Sequence, residues 1–233
     1  MQDLFKAATA LDEVDDGIHS CLPADSRASD YDDKARAYDL VVGNRFYNRL
    51  VWGNWPSRYR AFCEEALASA DGPYLDAGCG SLVFTADVYA RTDARPIVLL
   101  DRSLGMLKRG RDRIRQRLGR VPDHIRFLQA DIFDLPFHDG AFGVVASYGV
   151  LHVFAEPAGM LAELGRVRRP GGSGYISSLV GNTALGRRYL ALLARAGEVG
   201  VCHTTASLAA TLASTGFDYR VDAVGNMAYL RSA

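Results

Sequence analysis

A surplus of charge of either sign is missing from this chain. Lys and Arg together number 27, Asp and Glu number 27, and the formal net charge is zero. Such a protein has no general electrostatic hold on nucleic acid, although a local basic patch is still allowed. Paired cysteines are missing too. Cys21, Cys63, Cys79 and Cys202 stand far apart and none belongs to a C-x-x-C pair. That argues against a zinc site and a disulfide framework and makes reduced cytosolic thiols the default. No apolar run approaches the ~20 residues that cross a bilayer. The acidic N-terminus has no basic region ahead of an apolar core, so it does not read as a secretory signal. Internal repeats and low-complexity runs are absent. The expectation is a cytoplasmic protein with no membrane segment, no metal and no nucleic-acid partner; its oligomeric state is open.

What is present is apolar: 48% of 233 residues, enough for one good core with an appended segment. Three regions differ in character. Residues 1–30 carry Asp3, Asp12, Glu13, Asp15, Asp16, Asp25 and Asp30 against only Lys6 and Arg27. They read as a mobile or loosely docked acidic arm. Residues 31–70 are rich in Tyr, Phe and Trp and contain both tryptophans, Trp52 and Trp55. They read as two short helices broken near Gly53-Asn54-Trp55-Pro56, either part of the core or a helical lid. Residues 71–233 form the main domain.

In that domain short apolar runs alternate with helical patterns. Strands are expected at 73–77, 96–101, 125–130, 142–147 and 174–179. Ser103 can cap a helix with Leu104, Leu107, Ile114 and Leu118 on one face. Met160, Leu161, Leu164 and Val167 form another helical stripe, stopped by Pro170-Gly171-Gly172. This pattern implies a mostly parallel sheet with helices on both faces. The tail alternates, with Phe217, Tyr219 and Val221 against Asp218, Arg220 and Asp222, then turns at Gly225-Asn226. An antiparallel hairpin at the sheet edge follows.

Ligands of such sheets bind beyond the carboxyl ends of the strands. Three acids fall there: Asp76, Asp101 and Asp131. Tyr74-Leu75-Asp76-Ala77-Gly78-Cys79-Gly80-Ser81 is a strand running into a glycine turn, with a carboxylate two places before the first glycine. Gly78 and Gly80 let backbone approach a ligand. A carboxylate at that lip suits an ammonium group and repels a pyrophosphate. Asp101, 21 residues beyond Gly80, is at the usual distance for a ribose-binding carboxylate. Asp131 can accept from an adenine amine, and the Ile132 N–H can meet a ring nitrogen. An Asp at a strand end also caps turns by itself. Three in order, each after an apolar strand, favour a nucleoside site.

Asp76-Ala77-Gly78-Cys79-Gly80, Leu100-Asp101-Arg102-Ser103-Leu104-Gly105-Met106-Leu107, Gln129-Ala130-Asp131-Ile132-Phe133-Asp134-Leu135-Pro136-Phe137 and Val145-Ala146-Ser147-Tyr148-Gly149-Val150-Leu151-His152 resemble the successive motifs of class I S-adenosylmethionine-dependent methyltransferases. Arg168-Arg169-Pro170-Gly171-Gly172 resembles the turn before that family's fifth strand. Within the family the chain is most similar to the ubiquinone/menaquinone-biosynthesis C-methyltransferase group, through Tyr31-Asp32, Ala35, Tyr38-Asp39, Gly53 and Tyr59-Arg60. The resemblance implies a Rossmann-like, seven-stranded, mostly parallel sheet and S-adenosyl-L-methionine as cofactor. It implies that Asp76, Gly78, Cys79 and Gly80 serve the methionyl end, that Asp101 holds the ribose, and that Asp131 and Ile132 hold the adenine. Met106 or Phe133 would pack on the adenine faces, Ser147 would lie near the methyl group, and Tyr38 would close over the methionyl end. Arg102 falls in the cofactor-binding set by position, where the family more often has a small or acidic residue; it is free to point to solvent.

A nicotinamide oxidoreductase is the rival enzyme. Its G-x-G-x-x-G fingerprint wants a third glycine where this chain has Val83. A binding protein without turnover is the other alternative. Methyl transfer from a sulfonium needs in-line positioning more than proton chemistry. His152 is the candidate general base should the nucleophile start protonated, although a helix-start histidine bonded to backbone is the slightly favoured reading. His203 is a weaker candidate. The aromatic 31–62 stretch and the amphipathic Tyr189-Leu190-Ala191-Leu192-Leu193 would wall a small, partly apolar acceptor. The basic run from Lys108 to Arg120 could bind RNA. The favoured reading is a solvated helix face paired with the acidic arm.

Overall fold

The computed structural model describes residues 2–7, 9–28, 43–92, 95–214 and 218–232. The Tyr31–Asp39 pattern, with Tyr38, and Phe217 lie outside the described residues. Strands β1 (Asp12–Asp15), β2 (Ile18–Ser20), β3 (Tyr74–Ala77), β4 (Ile97–Asp101), β5 (Ile125–Gln129), β6 (Phe142–Tyr148), β7 (Arg168–Leu179), β8 (Arg220–Val224) and β9 (Met227–Ser232) form one sheet in the order β1-β2-β5-β4-β3-β6-β7-β9-β8. Helices are α1 (Arg45–Tyr47, continued by a π-helical turn over Asn48–Trp52), α2 (Pro56–Ser69), α3 (Ala86–Tyr89), α4 (Leu104–Leu118), α5 (Ala158–Val167), α6 (Ala184–Arg195) and α7 (Thr205–Ser214).

The five central strands β5-β4-β3-β6-β7 are parallel, and β7, β9 and β8 pair antiparallel. The chain leaves β3 toward β4 and β5, then returns to β6 on the other side. The topological switch therefore lies beside β3, where a crevice opens at the strands' carboxyl ends. Side chains alternate between two cores. Leu75, Ala77, Val98 and Leu100 meet the α5 and α7 face. Tyr74, Ile97 and Leu99 meet the α2 and α4 face. Period two puts Asp76 on the second face with Tyr74.

Nine strands replace the expected seven. The two extra come from residues 12–20, in the arm that composition marked as loosely docked. β2 pairs parallel with β5, Ile18 is fully buried, and Leu4 joins the main core. Asp16-Gly17, with Gly17 at φ 73°, is a two-residue hairpin turn. The acids that suggested disorder have partners. Lys108 Nζ lies 2.7 Å from Asp15 Oδ2, Arg111 also bonds Asp15, and Arg115 lies 2.9 Å from Asp16.

Two smaller expectations shift. Leu118, placed on the apolar face of α4, is exposed at its last turn, while Leu107 and Ile114 are buried. Strand β7 starts at Arg168, so Pro170-Gly171-Gly172 sits inside it. A bulge opposite Phe142 and Val144, with Gly171 at φ 73°, absorbs the irregularity.

Candidate active site

Three strand ends and one helix start build the crevice. After β3, the N–H groups of Gly78 and Cys79 both donate to the Leu100 carbonyl, at 2.7 and 2.9 Å. Gly78 has φ 76°, and a Cβ there would stand 2.5 Å from Val150 Cγ2, so only glycine fits. The Gly80 N–H donates to Asp101 Oδ2 at 2.8 Å, and the Ser103 N–H donates to Oδ1 at 2.8 Å. Asp101 thus ties the glycine turn to the start of α4. Ser103 caps that helix by accepting from the Met106 N–H at 3.1 Å. Leu82, at φ 57°, is the one non-glycine with positive φ among the described residues. This conformation costs about 1 kcal/mol. Packing against Gly110 and the Arg113 bond to the Ser81 carbonyl, at 2.6 Å, hold it.

At the end of β5, Asp131 Oδ1 accepts from the Phe133 N–H at 2.9 Å, and Oδ2 faces Arg102 Nη1 at 3.1 Å. Arg102 does not simply point to solvent. It pairs with the carboxylate expected to serve adenine and reaches the Ser26 carbonyl at 3.5 Å. Asp101 and Asp131 each make the local backbone bond of a turn-capping Asp, and each also borders the crevice. A carboxylate has about four acceptor positions, so both keep capacity for a ligand.

The crevice is a cavity of about 750 Å³, within the range of ligand sites. One end is lined by Gly78, Cys79, Gly80, Asp101, Arg102, Met106, Asp131, Ile132 and Phe133. The other is roofed by Tyr47, Trp52 and Tyr189, with ring centroids 5.4–6.1 Å apart, and by Leu193 and Val199. The Tyr47 hydroxyl donates to that of Tyr189 at 3.0 Å. The sequence pointed to both roof stretches but not to their pairing, since no local signal joins residues 47 and 189.

Asp76 and Ser147 do not border the cavity. Asp76 is 1% exposed on the α3 side, where the Tyr89 hydroxyl donates to Oδ2 at 2.7 Å. Its Oδ1 is buried without a partner among the described residues. Burial pushes this carboxyl up to about 7; Tyr89 pulls it down, and the nearby Asp101 charge pushes it up. Tyr89, Tyr74 and Tyr148 form a hydroxyl chain, with spacings of 3.5 and 2.7 Å, that links Asp76 to the cavity wall at Tyr148. Sequence reasoning missed this network, because its tyrosines read as ordinary strand and helix core. The Ser147 hydroxyl is fully buried and unpartnered among the described residues.

His152 does border the cavity, in the turn Leu151–Val153 after β6. The Leu179 N–H donates to its Nδ1 at 3.3 Å, so the ring proton belongs on Nε2. Burial pushes the imidazole down to about 4. It is a neutral group that presents a donor, not a base's lone pair. His203 stands away from the cavity, with Nδ1 3.3 Å from Ser207 Oγ.

Residues 75–176 match the family model described as a methyltransferase domain. Over these residues the chain is similar to that domain. A demethylmenaquinone methyltransferase of Renibacterium salmoninarum is 35% identical over 150 residues, covering 64% of this chain and 56% of that protein. The chain spans about half the length of the curated demethylmenaquinone methyltransferases it matches. Among solved structures, an O-methyltransferase family protein from Burkholderia thailandensis aligns with TM-score 0.65 at 18% identity, over 84% of this chain and 58% of that one. The [4+2]-cyclase SpnF aligns with TM-score 0.62 at 23% identity, over 84% and 74%. These two likenesses speak for the fold alone.

The stretch similar to that domain includes the glycine turn and the ordered strand-end acids, and the nicotinamide alternative finds no support. The residues present fit an S-adenosyl ligand. A glycine cradle that a Cβ would fill, two carboxylates on the rim and an orphaned buried carboxylate oxygen behind it suit a guest with hydroxyl donors and positive charge.

Proposed function

We propose that the protein transfers a methyl group from S-adenosylmethionine to a small, partly apolar acceptor by in-line displacement, in the cytoplasm. The observation that carries this reading is the two-ended cavity, with carboxylates and glycine backbone at one end and an aromatic roof at the other. Asp101 would accept from the ribose hydroxyls, Asp131 and the Ile132 N–H would meet the adenine, and Met106 and Phe133 would hold its faces. Gly78, Cys79 and Gly80 would meet the methionyl end, with Asp76 acting through water from behind the wall and Tyr38 covering it. Ser147 would support the floor near the reacting methyl. Residues 31–70 would act as cover to the 71–233 domain, and residues 1–30 as an arm on its edge.

When bound, the cofactor supplies an activated methyl group on a sulfonium. The roof orients the acceptor and excludes water, so the enzyme's contribution is mainly alignment. His152, with its proton on Nε2, would hold an acceptor oxygen instead of removing a proton. A ring oxygen of a demethylmenaquinone, the compound in the Renibacterium relative's name, is such an oxygen.

Titration calorimetry with S-adenosylmethionine and S-adenosylhomocysteine, beside NADH, tests the cofactor. Binding of NADH alone would overturn the reading. Transfer of labelled methyl to a demethylated quinol tests the acceptor class, and cofactor binding without transfer to any apolar acceptor would leave a silent binding protein.

A further inference from the structure

The roof of the cavity has an outer face with its own composition. Residues 43–58 and 184–195 contain six arginines and no acidic residue, in a chain whose charges balance overall. Among the described residues, large apolar side chains that are clearly exposed number seven, and five of them lie in these two segments. Phe46, Leu50, Leu185 and Leu192 are each 57–73% exposed, above Trp55 at 39% and the two elsewhere, Leu118 and Phe133, at 41% and 40%. Single exposed apolar residues need no explanation, but concentration in two packed segments does.

The arrangement is amphipathic at short range. The Arg45 guanidinium lies 5.3 Å from the Phe46 ring centre and 5.9 Å from that of Trp55, and Arg49 lies 5.7 Å from Trp55. On α6, Leu185, Arg188, Leu192 and Arg195 recur at helical spacing, all exposed, opposite the buried Gly186 and Leu190. Tyr47, Trp52 and Tyr189 join the two segments on the inner side.

We propose that this outer face docks on an anionic lipid surface. Phe46, Leu50, Leu185 and Leu192 would enter the headgroup boundary, and the arginines would meet lipid phosphates. Leu, Phe and Trp interleaved with Arg, with no acid within the two segments, is the chemistry of a helix that lies on a bilayer without crossing it. The absence of a spanning helix among the described residues is compatible with this mode. A second copy fits less well, because a two-fold contact would set arginines against arginines. Docking here would place the roof, and an apolar cavity beneath it, against the phase where apolar acceptors concentrate.

Flotation of the full chain with phosphatidylcholine vesicles, with and without about 30% phosphatidylglycerol, tests the proposal without cofactor or acceptor. Its failure is therefore distinct from failure of the methyl-transfer reading. The wild type should float with anionic vesicles and be released by salt. Arg49→Gln/Arg188→Gln and Leu50→Ser/Leu192→Ser should each lower partition about tenfold or more. None of these residues lines the cavity, so S-adenosylhomocysteine affinity and the circular dichroism spectrum should stay unchanged. Absence of flotation at low salt, or equal flotation of the variants, would overturn it. So would light scattering that shows a dimer split by the leucine variant with no vesicle binding, since the face would then belong to a second copy.

Discussion

Arg102 Nη1 lies 3.1 Å from Asp131 Oδ2, which binds the first residue after β4 to the second after β5 across the carboxylate-lined end of the cavity. Both side chains are about half exposed, so the pair should add less than ~1 kcal/mol to stability. Arg102→Gln should therefore leave unfolding unchanged and alter S-adenosylhomocysteine affinity by only about two- to threefold. Asp131→Ala should cost about tenfold, the worth of a hydrogen bond to a charged group. Calorimetry on both variants checks this. Equal losses would mean that the guanidinium touches the ligand itself.

Asp101 has a structural duty and, on the proposed reading, a ligand duty, which substitution can separate. Both oxygens accept backbone N–H groups, from Gly80 and Ser103. Asp101→Ala should release both donors, lower stability by about 1–3 kcal/mol, and weaken the adenosyl ligand by more than tenfold. Asp101→Asn keeps one acceptor oxygen, so it should recover part of the stability while still losing affinity. Denaturant unfolding beside calorimetry reads the two effects, and unchanged affinity in both variants would remove the ribose role.

The parallel sheet and its strand ends were legible because apolar runs, glycine turns and terminal acids are local signals. Ser103 as a cap could be read the same way, whereas the Gly80 N–H bond to Asp101 joins residues 21 apart and had no local signal. The docked hairpin at 12–20 was misjudged on composition, since its acids find their cations on α4, about 90 residues later in the chain. Asp16-Gly17 was the available signal. Asp76 shows a different limit. Its position was legible, but its orientation depends on strand parity, which turns it toward Tyr89 and away from the cavity. The His152 tautomer depends on the Leu179 N–H, a partner on another strand.

Asp76 and His152 should give opposing slopes of stability against pH. The Asp76 carboxyl, raised from 3.8 to about 7, is more protonated in the folded state. Its contribution is complete below about pH 4 and fades as pH rises to 7. The His152 imidazole, lowered from 6.5 to about 4, is less protonated in the folded state. Its contribution is present above about pH 6.5 and fades as pH falls to 4. In the empty protein the two slopes offset one another between these limits. Asp76→Asn should unmask stability that rises with pH, and His152→Gln stability that falls, each by a few kcal/mol at most. Thermal unfolding from pH 4.5 to 7.5 distinguishes them, and parallel curves for the two variants would refute the assignment.

Asn226 is the residue through which the C-terminal hairpin holds the roof. It is 2% exposed. Its Nδ2 donates to the Val51 carbonyl at 3.0 Å and to Thr183 Oγ1 at 2.9 Å, and its Oδ1 accepts from the Thr183 N–H at 2.9 Å. Its own N–H donates to the Trp52 carbonyl at 2.8 Å. One side chain in the β8–β9 turn thus grips both roof segments. A Cβ on Gly186 would stand 2.3 Å from the Asn226 carboxamide, so α6 can approach only as glycine. Asn226→Ala strands buried donors and acceptors and should cost about 2–4 kcal/mol. The loss should be local. Amide exchange should accelerate at 47–52 and 184–190 while β3, β4 and β6 keep their protection, because those strands share none of these bonds. Trp52 emission should move toward that of a solvated indole. Uniform acceleration across the sheet would show instead that Asn226 supports the whole fold and that the roof does not open independently of it.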